Sequence, residues 1–335
     1  MRFFIPFAIW CVFSVSGLDA AVMPEQIAVI ANKNDAESLE IARYYQQKRN
    51  IPDENIIRME FPLTNSMGSH LFNALRQQIY AQTPDHVQFY VFAWSKPYKV
   101  ACMSITSAMT FGFDRKHCAH GCSPTEPSVY FNSHSSLPYD DFKIRPAMML
   151  AGSSMKQIKA MIDRGVQSDG MFPNGTAYLV STTDKARNVR SYVYETVKQA
   201  FSDRINIEIV QADALEEKQD VLFYFTGRAE VDAVETNYYL PGAIADHLTS
   251  SGGVLFGDHQ MSLLKWLDAG VTASYGTVME PCAFPQKFPH PGIVIERYTR
   301  GESLIEAYWK SVAWPGQGLF VGEPLAAPFY SRPGK

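Results

Sequence analysis

Cys282 and the adjacent pair Asp258-His259 are the residues whose types could carry hydrolytic chemistry in this chain. A cysteine that follows a short apolar run, with His247, His259 or His290 available as a base, has the makings of a thiolate nucleophile. Asp258 beside His259 could instead serve as an acid–base pair. Each reading has a plainer rival. Cys102 also follows an apolar run, and a Cys102–Cys282 bond is favoured over a free thiol. A bonded sulfur attacks nothing. Asp258 and His259 could equally shape a turn ahead of a helix capped by Ser262.

His117-Cys118-Ala119-His120-Gly121-Cys122 places four zinc-type ligands in six residues. Ligands that close would strain a tetrahedral site, so a tight Cys118–Cys122 bridge is favoured and no metal is expected. No dinucleotide fingerprint, phosphate-loop lysine or nucleophile-elbow serine occurs, and no cofactor is expected. Ser250-Ser251-Gly252-Gly253 reads as a turn before a short strand at Gly253–Phe256, without the helix N-terminus that phosphate loops use.

The elements that position these residues follow from the hydrophobic pattern. The 335 residues are 46% hydrophobic, 19% charged and 13% aromatic, which excludes general disorder. The net charge of −4 and the absence of a basic run argue against nucleic acid or an anionic membrane surface as partner. Arg2, the apolar stretch Phe3 to Val15 and the small residues up to Ala20 read as a cleaved export leader, residues 1–20. The expected localisation is exported, periplasmic or secreted, with no membrane span after cleavage. Four cysteines follow the leader, an even number that suits an oxidising compartment.

Residues 21–335 read as a single α/β domain. Apolar runs at Val29–Ile30, Ile56–Met59 and Val87–Trp94 alternate with helical patterns from Asp35 to Asn50 and from Leu71 to Tyr80. From about 99 to 145 the periodicity disappears, which suggests a long, cysteine-stapled insertion. A helix at Met155–Ile162 closed by Gly165 follows, then a strand at Ala177–Val180 and a helix lined by Val189 to Phe201. Strands at Ile205–Val210, Val221–Phe225 and Thr272–Val278, and a helix from Leu304 to Val312, complete the pattern. The expected architecture is a doubly wound, mostly parallel sheet with helices on both faces, layered as in caspase- and gingipain-like or flavodoxin-like folds. In such sheets ligands bind beyond the carboxyl ends of the strands. That rule selects Asn32, Asn34, Thr226, Gly227, Thr277 and Glu280 as ligand-binding candidates, and places Asp258, His259 and Cys282 at the same edge.

Several stretches together carry a resemblance. They are Asn32 with Ser38 to Tyr45 and Arg49-Asn50-Ile51-Pro52; Asp220 to Gly227; Pro241-Gly242-Ala243 with Asp246 to Gly253; Gly276 to Cys282; and Gly322-Glu323-Pro324-Leu325 through Phe329. The combination resembles an exported bacterial family of proteins of unknown function, itself distantly similar to the gingipain-type cysteine peptidases. The resemblance implies a caspase-like α/β fold. Those peptidases place a catalytic His-Gly at the end of one strand and the nucleophilic cysteine at the end of the next. The matching positions here are Thr226-Gly227 and the Asp246 to Gly253 segment, which holds no cysteine. The resemblance therefore implies a relative without the dyad, binding a peptide, glycan or envelope protein. A hydrolase using Cys282 or Asp258/His259, and a structural component of the envelope, remain the alternatives.

Overall fold

The computed structural model describes residues 21–119 and 121–330. The expected leader and His120 lie outside the described residues. In chain order the strands are β1 (Ile27–Asn32), β2 (Ile56–Met59), β3 (Ser66–Met67), β4 (Phe89–Phe92), β5 (Lys99–Val100), β6 (Met103–Ser104), β7 (Ala147–Met149), β8 (Thr176–Ser181), β9 (Asn206–Gln211), β10 (Val221–Thr226), β11 (Tyr239–His247), β12 (Ala273–Thr277) and β13 (Gly318–Gly322). The helices are α1 (Ala36–Arg49), α2 (Ser69–Gln82), α3 (Ile105–Phe111), α4 (Pro138–Phe142), α5 (Met155–Ser168), α6 (Tyr194–Phe201), α7 (Leu264–Asp268), α8 (Pro291–Thr299) and α9 (Leu304–Lys310).

Ten strands form one sheet in the order β2-β1-β4-β7-β13-β12-β11-β10-β8-β9, while β3, β5 and β6 form a small separate sheet. The large sheet is mostly parallel; β12 and β13 pair antiparallel. Helices flank it. α1, α5 and α7 pack as one group, and α6, α8 and α9 as another, with Phe111 of α3 edge-on to Trp309 of α9. Central strands buried along their whole length need apolar residues at every position, and β4 (Phe-Tyr-Val-Phe) and β10 (Val-Leu-Phe-Tyr-Phe-Thr) have them almost throughout. The expected mostly parallel α/β sheet is what the chain forms.

Local signals explain the well-read elements. Asp35 caps α1 by accepting from Glu37 N at 3.0 Å, and Asn50 ends it in the left-handed conformation at φ 55°. Gly165 does not close α5; the helix runs on to Ser168. A Cβ at 165 would lie 2.4 Å from a carboxylate oxygen of Glu323, so glycine serves close packing there. The glycine run Gly253–Phe256 forms no strand. Gly253 is instead pressed against β12, where its Cβ would come within 2.4 Å of the Gly276 carbonyl oxygen.

The segment from 99 to 145 is not featureless. It supplies β5, β6 and the buried helix α3; the hydroxyls of Ser104, which caps α3, and of Ser107 donate to the Gly318 and Pro315 carbonyls at 2.5 and 2.6 Å. Its staples differ from expectation. Cys102 bonds Cys118, with Cα atoms 5.5 Å apart, and Cys122 bonds Cys282 across 160 residues of sequence, with Cα atoms 5.3 Å apart. Neither the Cys118–Cys122 nor the Cys102–Cys282 pairing forms. The physical reason is where the chain goes: Cys118 folds under the segment beside Cys102, while Cys122 reaches the loop after β12. Both sulfurs of the six-residue cluster are thereby committed, and no thiolate is left there for zinc.

At the edge where strands begin, Arg49 of α1 pairs with Asp169 and Glu323, all nearly solvent-free. Tyr45 Oη donates to Glu323 Oε1 at 2.8 Å, and Ala327 N donates to Asp169 Oδ1 at 3.0 Å. Burial opposes the Arg49 charge, but Glu323 and Asp169 outweigh it and hold the guanidinium ionised. This knot ties the end of α1, the end of α5 and the chain after β13 together. The opposite edge is where α1 and α5 start.

Candidate functional site

Residues that follow β1, β4, β7 and β11 meet at one edge, and residues that follow β8, β11 and β12 meet beside them. A hollow of about 480 Å³ there is lined by Asp35 after β1, Ser95 and Lys96 after β4, Ser153 and Ser154 after β7, and Phe256 after β11. A second cleft of about 150 Å³ lies at the other half of the edge. Arg187 follows β8, Thr249 and Ser250 follow β11, and Glu280 to Cys282 follow β12; all line it, with Phe288 as a wall. Phe288 also walls an apolar hollow of about 200 Å³ with Phe131, Tyr192 and His290.

β10 and β11 are neighbours in parallel register, with Thr226 opposite His247, so their ends lie side by side. Thr226 is fully buried. Its carbonyl accepts from Arg190 Nη2 at 2.7 Å and from Leu248 N at 2.9 Å, while its hydroxyl has no hydrogen-bond partner among the described residues. A Cβ at Gly227 would lie 2.1 Å from the Arg187 carbonyl oxygen. Only glycine lets the turn carrying Arg187 pass there.

At the end of β11 the hydroxyls are occupied. Arg187 Nε donates to Thr249 Oγ1 at 3.1 Å, and Thr249 Oγ1 donates onward to Gln260 Oε1 at 2.8 Å. Gln260 also accepts from Ser251 N at 2.8 Å. Arg187 is oriented by Asp184, whose carboxylate accepts from Nη1 at 2.9 Å. Thr277 Oγ1 donates to the Thr249 and Ser250 carbonyls at 3.1 and 3.0 Å, clasping β12 to the loop after β11. Glu280 Oε1 accepts from Cys282 N at 2.7 Å, and Gln317 Nε2 holds the Glu280 carbonyl at 2.8 Å.

The sequence candidates therefore divide. Thr226, Gly227, Thr277, Glu280 and Cys282 do converge on the smaller cleft. Glu280 and Cys282 line it, whereas Thr226, Gly227 and Thr277 build its frame. Asn32 is buried near the larger hollow and fully engaged. Its side chain donates to Phe61 O at 2.9 Å and accepts from Asn34 N at 3.1 Å, joining β1 to the chain after β2. Asn34 is exposed and lines neither cavity. Asp258 and His259 stand exposed on the loop after Phe256 and line none of the three cavities. Their neighbour Gln260 makes the contact with the site. Cys282, bonded to Cys122, carries no thiolate in this state.

Arg187 was missed by sequence reasoning, and Gln260 stood among the expected strand-end residues without being singled out. Arg187 sits in a polar stretch with no periodic signal, and Gln260 follows a charged pair that drew attention to itself.

Beneath the cleft lies a buried polar layer. Asp246 lies 2.6 Å from Arg190 Nη2, and burial raises its carboxyl despite that cation. His247 Nε2 donates to Met261 O at 3.0 Å while Nδ1 accepts from Trp266 Nε1 at 2.9 Å, which fixes one neutral tautomer. Burial, aided by Arg190 and Arg187 and opposed by the Met261 carbonyl, lowers its pKa to about 4. The sign is then set. Between pH ~6.5 and ~4 the unfolded chain binds a proton at this histidine that the folded chain refuses, so stability falls with falling pH by up to ~3 kcal/mol. His247→Gln is expected to flatten that part of the acid limb in urea titrations; an acid limb unchanged from wild type would contradict the assignment.

Among the described residues no group of three or more His, Cys, Asp or Glu side chains is placed to hold a metal ion. No helix among them is long and apolar enough to cross a membrane.

No family model matches the chain, and no curated protein matches it. Among solved structures, the crystal structure of the Arg-specific cysteine proteinase gingipain R aligns with a TM-score of 0.54. The alignment covers 93% of this chain and 79% of that chain at 10% sequence identity. The chain thus has the α/β fold of gingipain R, a caspase-like arrangement of a mostly parallel sheet flanked by helices.

Proposed function

We propose that the protein is an exported, non-peptidase binder of extended polypeptide at the cleft formed by Arg187, Thr249, Ser250 and Glu280. The observation that carries this reading is the occupation of the hydroxyl at the end of β11. Thr249 accepts from Arg187 and spends its only proton on Gln260, so it has no base to activate it. The end of β10 offers a buried threonine and a glycine where a base would stand.

The shape of the edge supports a polypeptide ligand. The ~150 Å³ cleft, lined by polar and apolar residues together, and the ~200 Å³ mostly apolar hollow are each side-chain-sized and share Phe288 as their wall. Successive hollows of different polarity suit the side chains of an extended chain better than one compact small molecule. Arg187, with about 29% of its side chain exposed, offers the charge-assisted donor that would orient the ligand. The two disulfides accord with an oxidising compartment, and residues 21–335 are read as one domain after a cleaved leader.

The test uses the full mature chain and a pool of fluorescein-labelled, randomised hexapeptides. Anisotropy is expected to detect binding, with mass spectrometry recovering the peptides intact. Arg187→Ala should weaken binding at least ~10-fold, equivalent to ~1.4 kcal/mol. Cleaved peptides, or an affinity that Arg187→Ala leaves unchanged, would overturn the reading.

A further inference from the structure

The two disulfides differ in what surrounds them. Cys118 is buried, at 7% exposure, and its partner Cys102 is half-buried beside a hollow of their own, whereas Cys122 is exposed and its partner Cys282 is half-buried on the wall of the small cleft. Exposure governs access of an attacking thiolate, so the two bonds face solvent thiols on unequal terms. The ends of the Cys122–Cys282 bond are also held by other means. Lys287 Nζ, on a fully buried residue, donates to the Ser123 carbonyl at 2.9 Å, one residue from Cys122. On the other side, Glu280 holds Cys282 N and Gln317 holds Glu280. Cutting the bond therefore leaves both sulfurs close to where they were.

We propose that Cys122–Cys282 is a thiol-exchange site, and that a small thiol reacting at Cys122 releases a reactive cysteine, Cys282, into the cleft. In the step, an external thiolate attacks Cys122 Sγ. The bond between Cys122 and Cys282 breaks, a mixed disulfide forms on Cys122, and the electron pair leaves on Cys282 Sγ as a thiolate. A second external thiolate attacks the mixed disulfide, releasing the oxidised small-molecule disulfide and the Cys122 thiolate, which takes a proton from water. Two external thiols, whose protons pass to water, are oxidised to one disulfide, and the protein disulfide is reduced to the Cys122 thiol and the Cys282 thiolate.

The direction of the exchange follows from the surroundings. The exposed sulfur is the one an incoming thiolate reaches, and the sulfur it expels leaves toward the cleft that Arg187 lines. Cationic surroundings favour a thiolate, both as leaving group and as nucleophile. The charged groups around Cys282 are Arg187 across the cleft, Glu280 on its own loop and Lys287 behind the Ser123 carbonyl. Burial lowers the Lys287 pKa to about 8, with Glu280 opposing, so it keeps most of its charge at pH 7, while Arg187 lines the cleft itself. Nothing in this step needs a polypeptide in the cleft, so it stands or falls independently of the binding reading.

The experiment treats the native chain with graded mixtures of reduced and oxidised glutathione at pH 7, then quenches, alkylates and maps all four cysteines by mass. Glutathione on Cys122 and alkylated Cys282 should accumulate while Cys102–Cys118 stays intact and the far-ultraviolet dichroism is unchanged. Reduction of Cys102–Cys118 first, glutathione on Cys282, or reduction only together with loss of fold would each overturn the proposal. A second measurement uses Cys122→Ser, which leaves Cys282 unpaired. Its alkylation by iodoacetamide at pH 7 should slow several-fold when Arg187→Gln is added; equal rates would show that the cleft does not activate the thiol.

Discussion

Arg49→Ala is expected to destabilise the protein by ~3–5 kcal/mol, the range for breaking a buried charge pair by removing one partner. The substitution leaves the Asp169 and Glu323 carboxylates in a solvent-free pocket without their shared cation. It also removes the tie between the end of α1 and the chain after β13. Urea unfolding monitored by tryptophan fluorescence checks this, since Trp94, Trp266 and Trp309 are all buried. A loss below ~1 kcal/mol would mean that the three groups do not meet as the structure places them. A milder substitution separates charge from packing. Glu323→Gln keeps the shape and the acceptor for Tyr45, and should cost less than Arg49→Ala because Asp169 still neutralises the guanidinium.

Gly227→Ala is expected to have the largest effect on the cleft itself. The added methyl would sit 2.1 Å from the Arg187 carbonyl oxygen and 3.0 Å from Asn188 N, both backbone atoms. No rotamer change relieves that overlap, so the turn carrying Arg187 must move. Overpacking of this kind costs ~1–3 kcal/mol, and rigid backbone on both sides puts this case at the upper end. Displacing Arg187 also breaks its hydrogen bond to Thr249, and peptide binding should fall at least as far as in Arg187→Ala. A Gly227→Ala protein with wild-type affinity would contradict the placement of Arg187 in the site.

The fold was legible where burial is two-sided or caps are local. β4 lies inside the apolar run Val87–Trp94, and α1 lies between Asp35 and Asn50, because a side-chain cap and a left-handed residue mark its ends. The unread elements share a physical cause. β11 contains Pro241-Gly242, which looks like a turn, yet the strand absorbs it where its register against β10 shifts. β7 has three residues and β13 is Gly-Leu-Phe-Val-Gly; both are too short to show a period. α8 begins at Pro291 and follows a proline-rich loop, so its apolar face had no clear start.

The site was legible in place more than in detail. The rule that ligands gather beyond strand ends located the cleft, because it depends only on strand direction. It could not say which polar residues frame the cleft and which face it. Thr226 and Thr277 end their strands, and each is buried in the structure. Pairing of the cysteines was hidden for the same reason that disulfide connectivity usually is: it depends on where a 160-residue excursion returns. The stretches carrying the family resemblance acquire physical meaning in pairs. Arg49 near Asn50-Ile51-Pro52 meets Glu323 of Gly322-Glu323-Pro324-Leu325, and Asp246-His247 builds the layer beneath the cleft.

Hydrogen-exchange mass spectrometry of the full mature chain, with and without the hexapeptide pool, locates the peptide on the molecule. Slowed exchange is expected only at residues 184–188, 248–251 and 280–288, with every peptide recovered uncut. Slowed exchange around residues 35–37, 95–96 and 152–154 instead, or peptides recovered cleaved, would contradict the proposed function.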